Sequence, residues 1–329
     1  MSRVIRFEQT GDAEVLQIQN ETVPAPEAGE IQIEVAAFGL NRAEVMFRRG
    51  QYLESPELPA RIGYEAAGTV TAIGDGVEGF TIGDAVSTVP NFSMNHYGSY
   101  GETVNMPVTA VTHHPPGLGW EQAAAIWMQY LTAYGALIDI ANMQADDFVL
   151  IPAASSSVGL AAIQLCNLIG AIPIALTRSH HKKQALLDHG AQHVVVSKAQ
   201  DVIAEVENIT AGEGVRIVFD PVGGPMLETL AQVTAKHGII FQYGALSPEP
   251  TPFPLFSVLA KGLTVRGYTL FEFTSDEAKL ARAQKAIYQW LDNAQLRPVI
   301  ARTFQFDDIV AAHRYLESNE QLGKVIVTV

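Results

Sequence analysis

Only one cysteine, Cys166, occurs in the 329 residues, so no intrachain disulfide can form, and its place on an apolar helix face suits packing. Positive charge is scarce too: 21 Lys+Arg stand against 35 Asp+Glu, a net charge of −14. That balance argues against nucleic acid and anionic membrane as partners, since both are polyanions. Long apolar runs are missing. The longest, Val158 to Leu176, is interrupted by Gln164, Asn167, Gly170 and Pro173, and it reads as helix, turn and strand, not a membrane span. The start, Met1-Ser2-Arg3-Val4-Ile5-Arg6-Phe7-Glu8, lacks the apolar core of a signal peptide. Solenoid repeats and low-complexity segments are absent. These absences lead to the expectation of a soluble protein in a reducing compartment, most simply the cytoplasm. What is present, 48% hydrophobic and 17% charged residues, allows a sizeable core, and the length suits two domains.

The chemistry begins at Phe148 to Ile151, a short apolar run suited to a buried parallel strand. Ala153-Ala154-Ser155-Ser156-Ser157-Val158-Gly159 follows as a small-residue turn, and Leu160, Ile163, Cys166 and Ile169 then recur at helical spacing. Strand, small turn and helix together point unpaired backbone N–H groups at a pyrophosphate. The G-x-G-x-x-G pattern is absent apart from Gly159, where helix and strand must pack closely. Ala and Ser still admit a ligand to the backbone, and the hydroxyls add donors. Taken alone, the stretch also suits any strand-turn-helix of an α/β protein. Ile172 to Thr177 reads as the next strand. An NAD site usually ends this strand with an acidic residue for the ribose 2′-hydroxyl, yet no Asp or Glu lies between Gly159 and Asp188. Arg178, Lys182 and Lys183 suit a 2′-phosphate instead, which favours NADPH over a merely solvated basic loop.

Up to about Pro116 the chain reads as strands and turns. Ile31-Gln32-Ile33-Glu34-Val35 alternates strictly, and Gly74-Asp75-Gly76 and Gly79-Phe80-Thr81-Ile82-Gly83-Asp84 punctuate hairpins or barrel corners. Trp120 to Ala141 turns helical. Strands are then expected at 148–151, 172–177, 193–196, 215–220, 238–243 and 263–267, and helices at 158–169, 182–189, 199–209 and 225–236. Six strands joined by crossovers make a doubly wound sheet. A helical stretch from Ser275 to Asn293 and a strand from Lys324 to Val329 close the chain.

In order along the chain stand Gly39-Leu40-Asn41-Arg42-Ala43-Glu44, Arg49-Gly50-Gln51-Tyr52, Gly63-Tyr64-Glu65-Ala66-Ala67-Gly68, Gly83-Asp84-Ala85-Val86 and Tyr97-Gly98-Ser99-Tyr100-Gly101-Glu102. Leu131-Thr132-Ala133-Tyr134, Asp220-Pro221-Val222-Gly223-Gly224, Tyr243-Gly244-Ala245-Leu246-Ser247 and Gly323-Lys324-Val325 complete them. With these blocks the chain resembles, over its full length, the medium-chain dehydrogenase/reductase superfamily in its zinc-free quinone oxidoreductase (zeta-crystallin-like) branch. The resemblance implies an α/β protein with a GroES-like β-barrel-type domain over 1–117, completed by 268–329, and a doubly wound Rossmann domain over 118–267. Asn41 and Tyr64 stand where the zinc alcohol dehydrogenases of the superfamily have a Cys and a His. The four-Cys structural zinc loop is missing as well, so no metal is expected.

Carried over by position, the resemblance implies a pyrophosphate turn at Ala153, Ala154, Ser155, Ser156, Ser157, Val158 and Gly159, with Arg178, Ser179 and Lys182 at the adenosine phosphate. Val222, Gly223, Gly244, Ala245 and Leu246 would wall the nicotinamide ribose, with Asn41 and Thr132 flanking the nicotinamide and Gly323 and Lys324 beside the cofactor. Some relatives carry an Arg near Asn319, and its absence here puts more weight on Arg178. Tyr52 and Asn41 are the catalytic candidates, and Arg42, Tyr52 and Tyr64 the substrate candidates. Arg42 either polarises a carbonyl or meets Glu44 or Glu65. The expected activity is NADPH-dependent hydride transfer to a quinone or other conjugated carbonyl. Alternatives are an enoyl or 2-alkenal double-bond reductase and an NADPH-binding protein with little turnover. Relatives pair through the edge of the Rossmann sheet, so the apolar segment Phe253 to Leu259 implies a homodimer or burial within its own domain.

Overall fold

The computed structural model describes residues 1–329. It divides into two compact units, 1–128 with 298–329, and 129–297. No helix is long and apolar enough to cross a membrane.

The 129–297 unit is built on six strands in the spatial order His193–Val196, Ile172–Thr177, Phe148–Ile151, Val215–Asp220, Thr234–Gln242 and Thr264–Gly267. All neighbouring strands run parallel. Short apolar runs suit such strands, because helices cover both faces of a parallel sheet. Leu150, Ile174, Val218 and Ile240 from the sheet join Val206, Leu227 and Leu230 from the helices in one buried cluster. The strand first in sequence lies in the middle, with the next two on one side and the later three on the other. Strand order therefore reverses beside Phe148–Ile151, and a doubly wound sheet binds its ligand outside the carboxyl ends of the strands at that point.

The Ser157–Ile169 helix follows from its sequence. The Ser156 hydroxyl accepts the Gly159 amide at 3.0 Å, and the helix ends at Gly170, whose φ of 88° is left-handed. Leu160, Ile163, Leu165 and Cys166 are buried, each large aliphatic side chain contributing about 1.5–3 kcal/mol. Several boundaries differ from expectation, the helix expected from 199 beginning only at Val202. The helix expected over 225–236 spans only Met226–Val233, and the next strand begins at Thr234, whose hydroxyl donates to the Leu230 carbonyl at 2.7 Å. Residues 268–297, grouped from the sequence with the first domain, pack in this unit. Lys279 pairs with Asp139 at 2.7 Å, and Tyr268 and Phe273 lie so close to Gly135 that a Cβ there would meet the Tyr268 hydroxyl at 2.2 Å.

The other unit holds a seven-stranded sheet. Ile300–Gln305, Lys324–Thr328, Glu30–Leu40, Glu65–Ile73, Ala85–Thr88 and Val111–His113 follow one another, and Thr103–Pro107 also pairs with Glu30–Leu40. A small sheet sets Ser2–Phe7 between Gln17–Glu21 and Ala60–Arg61. The alternation read at Ile31 to Val35 buries Ile31, Ile33 and Val35. The closing strand pairs antiparallel with Glu30–Leu40, Leu40 opposite Val325 and Gly39 opposite Ile326. The helical stretch expected from Trp120 is broken into Trp120–Ala123 and Trp127–Tyr134, continued by a wider π-helical turn over Gly135–Ile140. At the break the backbone lies on the sheet, and a Cβ at Gly39 would sit 2.3 Å from the Ala124 carbonyl oxygen.

Candidate active site

In the 129–297 unit the central strand leads into a turn through Ala153, whose φ of 48° is left-handed. Amides in the first turn of an α-helix have no acceptor within it, so Ser157 and Val158 present donors to an anion. Gly159 is sterically required, because a Cβ there would lie 2.6 Å from the Ala154 carbonyl oxygen. Ala154 is buried, while Ser155, Ser156, Ser157 and Val158 are half-buried. Lys182, expected with Arg178 at the adenosine phosphate, is buried, and its ammonium donates to the Ser155 hydroxyl at 3.0 Å. A positive charge therefore stands at the turn itself, brought there by a chain segment 27 residues away. Arg178 is exposed at the end of the next strand, and the Ser179 hydroxyl lies 2.5 Å from His181 Nδ1.

Across the reversal point, the buried Asp220 carboxylate accepts the amides of Val222 at 2.8 Å and Gly223 at 3.0 Å. Burial raises its pKa, and those amides oppose the rise. The following loop is drawn against this turn: Leu246 N–H donates to the Pro221 carbonyl at 3.1 Å and Ser247 N–H to the Val222 carbonyl at 2.9 Å. A Cβ on Gly244 would come 2.6 Å from the Pro221 carbonyl oxygen. Val222, Gly223, Gly244 and Leu246 thus form one wall, with Ala245 exposed. Thr132 is buried in the Trp127–Tyr134 helix. Close-packed glycines, a helix start, two cations and no carboxylate from Gly159 to Asp188 make a donor set that fits a dinucleotide carrying an extra phosphate.

In the other unit Asn41 precedes the Arg42–Arg48 helix, and its carboxamide is engaged on all sides. Nδ2 donates to Glu44 Oε1 at 3.0 Å and to Glu65 Oε2 at 3.3 Å, and Oδ1 accepts from Lys324 Nζ at 2.5 Å. Lys324 also forms an ion pair with Glu65, both side chains being buried. Glu65 Oε1 accepts the Met128 amide at 2.9 Å, a carboxylate at the positive end of the helix starting at Trp127. Glu44 Oε1 accepts the Tyr64 amide at 3.2 Å, whereas Glu44 Oε2 is buried without a partner. Burial lifts the Glu44 carboxyl to about 6, against the opposing pull of the Asn41 hydrogen bond and the Lys324 charge. Both N–H donors of Asn41 are consumed here, and the Lys324 head group is committed inward. Gly323, with φ of 104°, lies against Val299, where a Cβ would meet the carbonyl oxygen at 2.3 Å. The Arg42 guanidinium donates to Asn319 Oδ1. No group of three or more His, Cys, Asp or Glu side chains is arranged to hold a metal ion.

Tyr52 lies twelve positions before Tyr64 in sequence, and the two rings stand 6.4 Å apart at 59°. Tyr64 is buried at 1% exposure and does not form an open substrate wall. Its ring packs on Phe92 at 5.5 Å, and its carbonyl accepts the Thr88 hydroxyl at 2.9 Å. Tyr52 is half-buried in a loop anchored at both ends. Gln51 N–H donates to the Met46 carbonyl at 2.8 Å. Farther on, Asn95 Nδ2 donates to Glu54 Oε1 at 3.0 Å and to the Ser55 carbonyl at 2.9 Å. Burial pushes the Tyr52 phenol up to about 12 and the Tyr64 phenol higher, so both are protonated donors at neutral pH. The Tyr pair, the bond from Lys182 to Ser155 and the burial of Glu44, Glu65 and Lys324 escape a reading of the sequence. The only hint is acidic residues set among apolar neighbours, as in Tyr64-Glu65-Ala66-Ala67.

The family described as alcohol dehydrogenase GroES-like domain matches residues 27–152, and that described as zinc-binding dehydrogenase matches residues 157–285. A quinone oxidoreductase of Salmonella typhimurium is 30% identical over 330 residues, covering 99% of this chain and 99% of that one. Among solved structures, Escherichia coli quinone oxidoreductase complexed with NADPH is 28% identical with a TM-score of 0.92, over 99% of this chain and 100% of that one. The CurK enoyl reductase is 25% identical with a TM-score of 0.88, over 99% of each chain.

Proposed function

The chain belongs to the medium-chain dehydrogenase/reductase superfamily, in its zinc-free quinone oxidoreductase branch, and from that membership we propose an NADPH-dependent, metal-independent reductase of quinones or other conjugated carbonyls. The observation that carries the cofactor is the Ser155–Gly159 helix start, with the Lys182 ammonium on Ser155 and Arg178 beyond it. NADPH supplies the hydride, and the protein's task is to hold the acceptor and its developing charge. Tyr52 is the residue we assign to that charge. Its phenol keeps its proton at neutral pH and donates to a quinone or enone oxygen. Asn41 and Lys324 act at one remove, because their polar atoms hold Glu44 and Glu65 in place. Where zinc relatives carry metal ligands, this chain has a carboxamide held by an ammonium. The lone, buried Cys166 suits a reducing compartment, for which the cytoplasm is our proposal.

A homodimer belongs to the same reading. Phe256 and Leu259 are 84% and 69% exposed on the Leu255–Lys261 helix, next in the chain to the outermost strand Thr264–Gly267. An apolar face of this kind beside a sheet edge suits a second copy of the chain.

The test is NADPH consumption by purified protein against quinones, 2-alkenals and enoyl thioesters, with product analysis, with and without exhaustive chelation. We expect turnover of quinones that chelation leaves unchanged. Turnover of enoyl substrates alone would move the assignment to double-bond reduction. Tight NADPH binding without turnover of any acceptor would leave a nucleotide-binding protein. Tyr52→Phe separates the two enzyme readings. A loss of roughly 100-fold in kcat with little change in KM identifies proton delivery to carbon. About tenfold, the loss we expect, identifies one hydrogen bond to oxygen.

A further inference from the structure

We propose that His181 makes the preference for NADPH pH-dependent: once protonated, it donates to the Ser179 hydroxyl and so turns the Ser179 proton toward the adenosine phosphate. This role rests on the cofactor reading above and adds the regulation of that site. Ser179 follows the exposed Arg178 at the end of the strand Ile172–Thr177, and His181 Nδ1 lies 2.5 Å from its hydroxyl oxygen. At that distance one of the two atoms donates to the other. A neutral imidazole with a bare Nδ1 takes the serine proton, and the hydroxyl then offers a phosphate only lone pairs. The other neutral tautomer donates from Nδ1 but brings no charge. An imidazolium carries a proton on each nitrogen and must donate. The Ser179 hydroxyl is then free to donate to a phosphate oxygen, with a positive charge behind it. His181 is thus a positioning residue that acts through Ser179.

The surroundings suit the part. Lys182 is buried with its ammonium on Ser155 at 3.0 Å, so that charge stands at the pyrophosphate turn. Arg178 brings a charge that does not change with pH. The turn itself is tied down: Ser179 N–H donates to Thr177 Oγ1 at 3.5 Å, and Lys182 N–H to the Ser179 carbonyl at 3.4 Å. His181 is exposed, with Arg178, His180, Lys182 and Lys183 as the charged or titratable groups of its own segment. Beside that segment lies the exit of the strand His193–Val196, where Ser197 N–H donates to the Thr177 carbonyl at 2.8 Å and Lys198 follows. The carboxylates of the flanking helices are engaged locally. Asp188 accepts Gln184 Nε2 at 2.8 Å, and Asp201 caps its helix by accepting the Ile203 amide at 3.0 Å. An anion bound beside the ring favours its protonated form, and by reciprocity protonation favours the anion.

The decisive experiment is fluorescence titration of NADPH and NADH between pH 8 and pH 6.5 at constant ionic strength, a range in which histidine changes charge. The wild-type preference for NADPH should grow about 3- to 10-fold as the pH falls. His181→Asn keeps a donor but cannot titrate, so it should flatten that course and leave the NADH affinity unchanged. Ser179→Ala should flatten it as well, because the link to the phosphate is broken. The 2′-phosphate takes up a proton of its own at about pH 6, but this is common to all three proteins and cancels in the comparison. Calorimetry at pH 7 in two buffers of different ionisation enthalpy gives a second readout. NADPH should carry more protons onto the wild type than onto His181→Asn, and NADH should show no difference. A pH course or a proton uptake that His181→Asn leaves unchanged would overturn the proposal, and a course that survives Ser179→Ala would overturn the route through the serine. If the wild type binds NADPH no more tightly than NADH at any pH, the cofactor reading itself falls, and the role of His181 with it.

Discussion

Replacing Lys324 with methionine tests the buried cluster most directly. The methionine keeps nearly the length of the stem that lies against Gly39, so little cavity opens. What disappears is the ammonium that pairs with Glu65 and donates to Asn41. Glu65 is then a carboxylate at 1% exposure with only the Met128 and Asn41 N–H groups left to it. Removing one partner of a buried ion pair typically costs 3–5 kcal/mol, so Lys324→Met should lose about that much at pH 7.5 in urea unfolding. Adding Glu65→Gln removes the stranded charge. Its amide still accepts the Met128 N–H and now donates to the vacated Asn41 oxygen, so the double variant should recover to within about 1–2 kcal/mol of wild type. The pH dependence has a definite sign. Glu44 titrates near 6 in the folded chain against 4.5 unfolded, so its contribution is fully present below the unfolded value and is lost as pH rises through 6. Lys324 holds that pKa down, and removing it raises Glu44 further. The deficit of Lys324→Met should therefore be smaller at pH 5.5 than at pH 7.5. A single variant within about 1 kcal/mol of wild type, or a double variant no better than the single, would refute the reasoning.

Cofactor selectivity should divide between two cations. Arg178→Ala should remove most of a roughly tenfold or larger preference for NADPH over NADH in fluorescence titrations, while Lys182→Ala, which empties the turn at Ser155, should weaken both cofactors. Equal wild-type affinities would sink the assignment. His313 is buried with neither ring nitrogen partnered, and burial, reinforced by the nearby Arg48 charge, pushes its pKa down to about 3 from 6.5. A neutral buried histidine contributes stability above pH 6.5 that is lost as pH falls toward 3, about 5 kcal/mol over the full range. His313→Leu should match or exceed wild type at pH 7 and flatten the decline of the urea midpoint between pH 6.5 and 4, and an unchanged slope would contradict this. Finally, Phe256→Asp should shift a dimer to monomer in light scattering at micromolar concentration, and a monomeric wild type would remove the homodimer from the proposal.

Much of the nucleotide-type unit was open to reading because its signals are local. The runs Phe148–Ile151 and Ile172–Thr177 are apolar over the full strand, and Gly159 marks a close approach that the Ala154 carbonyl enforces. The missing carboxylate before Asp188 is likewise visible in one stretch. The cluster in the other unit is not local. Lys324 lies 283 residues from Asn41 and 259 from Glu65, and each reads alone as an ordinary polar residue at the end of a strand. The link becomes derivable once one register is known. With Leu40 opposite Val325 in an antiparallel pair, the residue after Leu40 and the residue before Val325 must face each other, and these are Asn41 and Lys324. Gly39 opposite Glu65 then brings the carboxylate to the same end of the sheet. A charge-bearing trio is therefore set by strand pairing that side-chain patterning cannot reveal. The hydrophobic alternation of Ile31 to Val35 specifies which face is buried, but not which later strand lies beside it.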